Sequence, residues 1–495
     1  MSEWVAAKRL PSGVAAAAAI WGVGAALYYH RAGLTLSHYD ARGHLVVARR
    51  ILDSITPGWQ QIGAVWLPLP HLLNALPVQI DAFYRSGASA VAISIASFAL
   101  ATAAIAAIVL AVTDSAAAAI SGAAVFALNP NVVYLQSTPM TEPLLLATVT
   151  VAVAMLMRTR DFRLQTSDFR LPGLAFALAC LTRYEAWPVT VCVVALMALA
   201  RWRQGEPLAD AARAAGRVAV YPAGAIVAFA IFSRVVVGQW FVSSDFFVPE
   251  NKSLGLPALA AKEIGWGLRM LSGDLALAAG VLGLATLAVL AAANRRHTAH
   301  LLPLALATMA LIPWTAFEKG HPFRIRYMVP LIAIEAIGAG VLAGIVRRLR
   351  IAGAIVILAI CAYELRPLDA AAPMVVEAQW DRPNVADRSR VTACLGGPGR
   401  GEKIMASMGS LGHYMQEASL AGFAVRDFLH EGNGDIWLAA LDRPRPFAEW
   451  VLIEEKAEGG DVLARIARER PAFLEGYARA CEGAGLALYR RKPKT

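Results

Sequence analysis

The chain has 495 residues, 57% hydrophobic and 17% charged, with 46 Lys and Arg against 36 Asp and Glu. A soluble domain carries about 25% charged and about 45–50% apolar residues, so this composition excludes a soluble globule and a disordered chain. It points to an α-helical polytopic membrane protein, with roughly 20 apolar residues per span. The net charge of +10 is what basic cytoplasmic loops produce, and no aromatic-interleaved basic patch argues for nucleic acid.

The first apolar run, 12–29, follows Lys8 and Arg9 and lacks a small-residue cleavage site, so it reads as a retained span. The polar segment 30–86 is too long for a simple connection. In it Leu45, Ala48, Ile51 and Leu52 recur at helical spacing, with Arg42, Arg49 and Arg50 opposite. Leu72, Leu73, Leu76, Ile80 and Phe83 form a second such set. Both read as amphipathic helices on the membrane surface. Between them, Trp59 and Trp66 suit the interface. Asp40 opens the first of these helices. It reads as a helix N-cap and, compatibly, as a carboxylate poised at the membrane boundary. His38, Asp40 and His44 are the one metal alternative in this stretch. Their spacing is not diagnostic of zinc, and a magnesium or manganese site wants more carboxylates, so no metal or other cofactor is expected.

Apolar runs follow near 88–112, 115–130 and 140–157, then a basic segment with Arg158, Arg160, Arg163 and Arg170. The stretch 171–200 is basic at both ends. It therefore reads as two short helices, turning at Thr182-Arg183-Tyr184-Glu185-Ala186-Trp187-Pro188, where Pro188 supports a break. Further spans are expected near 217–236, 271–293, 299–317, 327–346 and 351–366. The outer loop 237–270 carries Gly238-Gln239-Trp240-Phe241 and Ser244-Asp245-Phe246-Phe247, which suit a sugar or lipid site and a plain surface loop equally. This makes about 11 spans with every strong Arg cluster inside, and 30–86 and 367–495 outside.

Two units are expected: a transmembrane domain, 1–366, and a C-terminal α/β domain, 367–495. The second has apolar strands at Glu402 to Ser407, Trp450 to Glu454 and Leu486 to Arg490, and helices at Leu411 to Ala421 and Gly460 to Ala478. Its Ser407-Met408-Gly409-Ser410-Leu411-Gly412-His413 turn reads as structural, or as an anion site at a helix N-terminus. Cys180, Cys192 and Cys361 sit in apolar runs and read as inert, whereas Cys394 and Cys481 can pair if this part lies outside the cytoplasm.

Four groups of residues occur in order over roughly 12–366. The first is Asp40 after the first span, then an Ala41-Arg42 amphipathic helix and Pro68-Leu69-Pro70. The second is Asn129-Pro130-Asn131-Val132-Val133-Tyr134 followed by Met140-Thr141-Glu142-Pro143. The third is Leu181-Thr182-Arg183-Tyr184-Glu185, and the fourth Arg324-Ile325-Arg326-Tyr327-Met328-Val329-Pro330. With the topology, they resemble the GT-C superfamily of membrane glycosyltransferases, closest to the protein mannosyltransferase and aminoarabinose transferase (glycosyltransferase family 39-like) group that uses polyprenyl-phosphate sugars.

That resemblance implies inverting transfer to an acceptor hydroxyl on a protein, lipid or glycan at the outer face of the membrane, in a bacterial periplasm or an organelle lumen; the high Ala and Arg content and the short loops favour a bacterial inner membrane. Asp40 would be the base. Arg324 and Arg326, with His321 nearby, would hold the donor phosphate through the guanidinium fork; snorkelling at the interface is the structural alternative. His44, Trp66, His71, Tyr134, Glu142, Arg183, Glu185 and Tyr327 would face the cavity, although Arg183 and Glu185 also read as an ion pair holding their turn. One departure stands out: some relatives carry a Lys before the Pro-rich turn, where this chain has Trp66-Leu67-Pro68-Leu69. The competing class is a transporter or flippase of a lipid-linked or anionic substrate, but only one broken hairpin is visible, where transporters show two in matching halves.

Overall fold

The computed structural model describes residues 2–158, 169–238, 240, 251–399 and 401–493. Arg160, Arg163, Gln239, Phe241 and Ser244-Asp245-Phe246-Phe247 lie outside the described residues.

Among the described residues, seven helices are long and apolar enough to cross a membrane: Arg9–Arg31, Ala88–Thr113, Ala186–Arg203, Leu208–Val237, Asp274–Ala293, His297–Glu318 and Ile325–Gly344. Shorter apolar helices, Ala116–Ala127, Glu142–Met157 and Arg170–Cys180, and Arg350–Glu364, occupy the remaining expected runs. The stretch 171–200 is two helices parted at residues 181–185. Ile325–Gly344 is 89% buried and forms the centre of the bundle. It meets Asp274–Ala293 backbone to backbone, because Gly280, Gly283 and Gly338 leave no room for a Cβ. Arg326 stands near the N-terminal end of this innermost helix.

Loop 237–270 contains a helix, Pro257–Ser272, that the reading as a loop misses. Its signals are present: Pro257 in the first turn, and Ala260, Ile264, Gly267 and Leu271 buried along one face.

The segment 30–86 folds as the helix Tyr39–Arg50 and four short pieces, Trp59–Ile62, Leu69–Asn74, Pro77–Gln79 and Asp81–Ser86. The second amphipathic helix is thus broken, with Pro77 at the break. Its Leu72, Leu73, Leu76, Ile80 and Phe83 are exposed, as on a surface that faces lipid. The helix Tyr39–Arg50 is instead roofed over. Its Leu45, Val46 and Ala48 share one core with Tyr414, Met415, Phe428 and Leu488 of the C-terminal part.

That part is built on a five-stranded sheet, β1 (Ile404–Ala406), β2 (Phe428–Leu429), β3 (Trp450–Glu454), β4 (Tyr477–Gly483) and β5 (Leu486–Arg491), in the order β2-β1-β3-β5-β4. β1 pairs in parallel with β2 and β3; β5 pairs antiparallel with β3 and β4. β1, β3 and β5 coincide with the three expected strands. β2 is only two residues long, and β4 is an edge strand whose side chains after Tyr477 are mostly exposed, so neither carries an apolar alternation. The helix expected at 460–478 stops at Glu469, before Pro471. A disulfide joins Cys394, closing the helix Val385–Cys394, to Cys481 on β4. Residues past the expected boundary at 366 still belong to the membrane-side core, where Ala372, Met374, Val375 and Ala378 are buried.

Candidate active site

The helix Tyr39–Arg50 begins at His38, whose extended backbone and side chain form the cap: Nδ1 accepts the Asp40 N–H at 3.1 Å. The N-cap role expected of Asp40 therefore belongs to His38, and the Asp40 carboxylate is free to act elsewhere. It forms an ion pair with the Arg326 guanidinium. Burial pushes the Asp40 carboxyl up, but the positive charges of Arg326, His38 and Arg324 outweigh it and hold the group below the usual carboxylate range. Asp40 is thus a carboxylate kept ionised in a largely enclosed place.

Arg326 is positioned from both sides. Its guanidinium carbon lies 5.0 Å from the Tyr327 ring centre, and the Tyr327 hydroxyl is 3.3 Å from His321 Nε2. The neighbouring Ile325 N–H donates to Glu377 Oε2 at 2.8 Å, while Glu377 Oε1 lies 3.8 Å from His38 Nε2. Glu377 therefore couples the cap of one helix to the start of the other. Sequence reasoning missed it, because it lies far along the chain in a stretch without a motif. Arg326 Nε is buried with no hydrogen-bond partner among the described residues. Arg324 stacks over Trp380 at 5.4 Å.

A second charged knot adjoins the first. Arg183, in the turn between two short helices, donates to Glu142 at 2.9 Å, to Thr141 at 3.0 Å and to Glu185 at 2.6 Å. The ion pair expected to hold this turn is present and includes Glu142. The same turn anchors the Pro-rich segment: Leu69 N–H donates to Leu181 O at 2.9 Å, and Tyr184 hydroxyl to Ala64 O at 3.3 Å.

His44 lies one turn beyond Asp40. Its Nδ1 is 3.0 Å from His71 Nε2, and its ring centre is 4.1 Å from that of Trp66. Gly43 permits this, since a Cβ there would sit 2.9 Å from the Trp66 ring. Burial drives both histidines to lower pKa, His71 to about 3. With Pro70, Asn74, Ser94 and Thr141, they line a small cleft of about 30 Å³.

Two expectations fall outside this constellation. Tyr134 is fully buried, donates to Leu34 O at 2.9 Å and packs against Tyr29, so it braces the exit of the first span. His38, Asp40 and His44 do not converge as metal ligands, since each faces a different partner, and among the described residues no group of three His, Cys, Asp or Glu is arranged to hold a metal. In the C-terminal turn, Glu431 already accepts the Met408 N–H at 2.7 Å and binds Ser407. An internal carboxylate thus occupies the place considered for an anion.

By sequence the chain matches no family model and no curated protein. By structure it is similar to ArnT from Cupriavidus metallidurans bound to undecaprenyl phosphate, at 11% identity and a TM-score of 0.58, covering 96% of this chain and 99% of that one. The apo state of ArnT matches over the same shares at 12% and 0.56. The apo oligosaccharyltransferase of Archaeoglobus fulgidus matches at 13% and 0.54, covering 86% of this chain and 64% of that one. The chain is therefore an integral membrane protein with the GT-C glycosyltransferase fold.

Proposed function

We propose that this chain is an inverting glycosyltransferase that moves a sugar from a polyprenyl-phosphate donor to an acceptor hydroxyl on the outer face of the membrane. The observation that carries this reading is the buried Asp40–Arg326 pair at the junction of the bundle, the first outer loop and the C-terminal domain. In the step, the acceptor oxygen attacks the anomeric carbon and Asp40 takes its proton. The bond from that carbon to the phosphate oxygen breaks, and its electron pair leaves with the phosphate. The charge that develops there faces Arg326, whose buried Nε has hydrogen-bonding capacity to spare. Arg324 and His321 flank the same approach. ArnT with undecaprenyl phosphate bound supports a lipid phosphate as the donor's carrier, and the exposed apolar row from Leu72 to Phe83 suits a lipid-facing entrance. The acceptor is a protein, lipid or glycan. The Cys394–Cys481 disulfide supports an oxidising compartment such as the bacterial periplasm.

The test is transfer by the purified full chain, offered a panel of undecaprenyl-phosphate sugars with cell-envelope extract as acceptor source. Turnover of one donor, with lipid phosphate released in step with sugar transferred, is the expected result. Movement of intact lipid-linked sugar across liposomes without cleavage would instead establish the transporter class.

A further inference from the structure

Two buried donors face Glu377, and each stands beside one member of the Asp40–Arg326 pair. Ile325, the residue before Arg326, gives its N–H to Glu377 Oε2 at 2.8 Å. The other donor is on His38, the cap of the Asp40 helix. His38 Nδ1 accepts the Asp40 N–H at 3.1 Å. A backbone N–H only donates, so Nδ1 holds the lone pair and the ring hydrogen sits on Nε2. That Nε2 lies 3.8 Å from Glu377 Oε1, beyond hydrogen-bond range. Both atoms are buried, and among the described residues neither has a hydrogen-bond partner. A desolvated donor and a desolvated acceptor gain by closing such a gap, and the hydrogen bonds of catalytic sites are often long until substrate binds.

Glu377 is a firm point from which to hold them. It is 4% exposed and ends the short helix Pro373–Glu377. In that helix Met374 donates its N–H to Asn131 Oδ1 at 2.9 Å, and Asn131 Nδ2 donates to the Leu271 carbonyl at 2.9 Å. Met374 and Val375 are buried in the membrane-side core. The helix is thereby fixed to the bundle.

Before donor binds, Arg326 itself holds Asp40 through their ion pair. A donor phosphate draws on the same guanidinium, so that hold weakens just when Asp40 must meet the acceptor hydroxyl. We propose that Glu377 is a positioning residue for the transfer: acting through His38, it fixes the ring that caps the Asp40 helix and keeps Asp40 in place when Arg326 turns to the phosphate. The proposal rests on the transferase reading above. The position demands a carboxylate. A glutamine in its place has one accepting oxygen for two donors, so its amide NH2 group meets either the Ile325 N–H or the His38 Nε2–H head on.

The experiment compares the full chain in nanodiscs as wild type, Glu377→Gln, His38→Asn and the double variant. Asparagine is among the best helix caps, but it is shorter than histidine and does not reach Glu377. Three quantities are measured: single-turnover transfer from the undecaprenyl-phosphate sugar that the wild type uses, binding of bare undecaprenyl phosphate, and the ring-nitrogen NMR signals of His38, assigned by their loss in His38→Asn. Each single variant is expected to transfer about tenfold more slowly and to bind bare undecaprenyl phosphate like the wild type. The double variant is expected to be no slower than His38→Asn, because both changes break one contact. The His38 hydrogen is expected on Nε2 in the wild type, with signals that move in Glu377→Gln. Rate losses that multiply in the double variant, a wild-type rate in Glu377→Gln, lipid-phosphate binding that falls as far as the rate, His38 signals that ignore Glu377→Gln, or a wild-type hydrogen on Nδ1 overturns the proposal and leaves the transferase reading standing. Absence of transfer by the wild type from every donor overturns the transferase reading, and the proposal with it. If Glu377→Gln does not fold, His38→Asn decides: a slowed transfer with unchanged binding of bare lipid phosphate supports the proposal, and a wild-type rate overturns it.

Discussion

At the residue scale, ionisation states are set by who faces whom. Asp40 is held below the usual carboxylate range by Arg326, His38 and Arg324 despite its burial. A free Asp titrates near 3.9, so the acid limb of kcat/KM is expected below about pH 4. A limb between pH 5 and 7 would mean that another group is the base. His71 and His430 behave oppositely, since burial holds both at about 3. In the unfolded chain each takes a proton near 6.5. Their contribution to stability is therefore complete above about pH 6.5 and declines as pH falls toward 3, by about 1.4 kcal/mol per pH unit for each ring. Thermal melts between pH 7 and 4 are expected to show this slope, and His430→Asn to flatten part of it. Charged residues at span boundaries, Asp40, Glu142, Arg183 and Arg326 among them, were legible in the sequence because ions there are costly and stand out. The pairing of His44 with His71 was not, because it depends on how the Pro-rich segment folds back over Gly43.

Helix packing decides how accurately those residues are presented. Ile325–Gly344 carries Arg326 near its N-terminal end and meets Asp274–Ala293 through glycines. A Cβ on Gly338 would run into the Gly280 carbonyl, and one on Gly283 into the Gly338 carbonyl. Gly338→Val is expected to lower the melting temperature and the transfer rate together, because separating the helices also displaces Arg326. Unchanged activity in this variant would show that the contact does not position the site. The apolar runs were readable because lipid demands long helices. Broken and edge elements were not: Pro77 splits the second amphipathic stretch, and β4 is too exposed to alternate.

Over the whole molecule, the C-terminal domain is clamped onto the loop that holds the site. Arg42 donates to Glu417 at 2.8 Å, and Arg388 shares that carboxylate at 3.0 Å. Gln61 donates to Gly432 O at 2.8 Å, and Asn433 to Ser54 at 3.1 Å. None of these pairs is visible in the sequence, where each partner is one polar residue among many. The Cys394–Cys481 bridge closes a separation of 87 residues. In the chain-entropy view it is worth about 4 kcal/mol, so Cys481→Ser is expected to expose the C-terminal domain to limited proteolysis at temperatures the parent withstands. The central claim, that Asp40 is the base of a lipid-phosphate sugar transfer, is tested most directly by single-turnover kinetics of Asp40→Asn beside the parent, with donor binding measured in parallel. The account predicts retained donor binding and a transfer rate lower by about 10²–10⁴-fold. A variant that transfers at the parent's rate would contradict it.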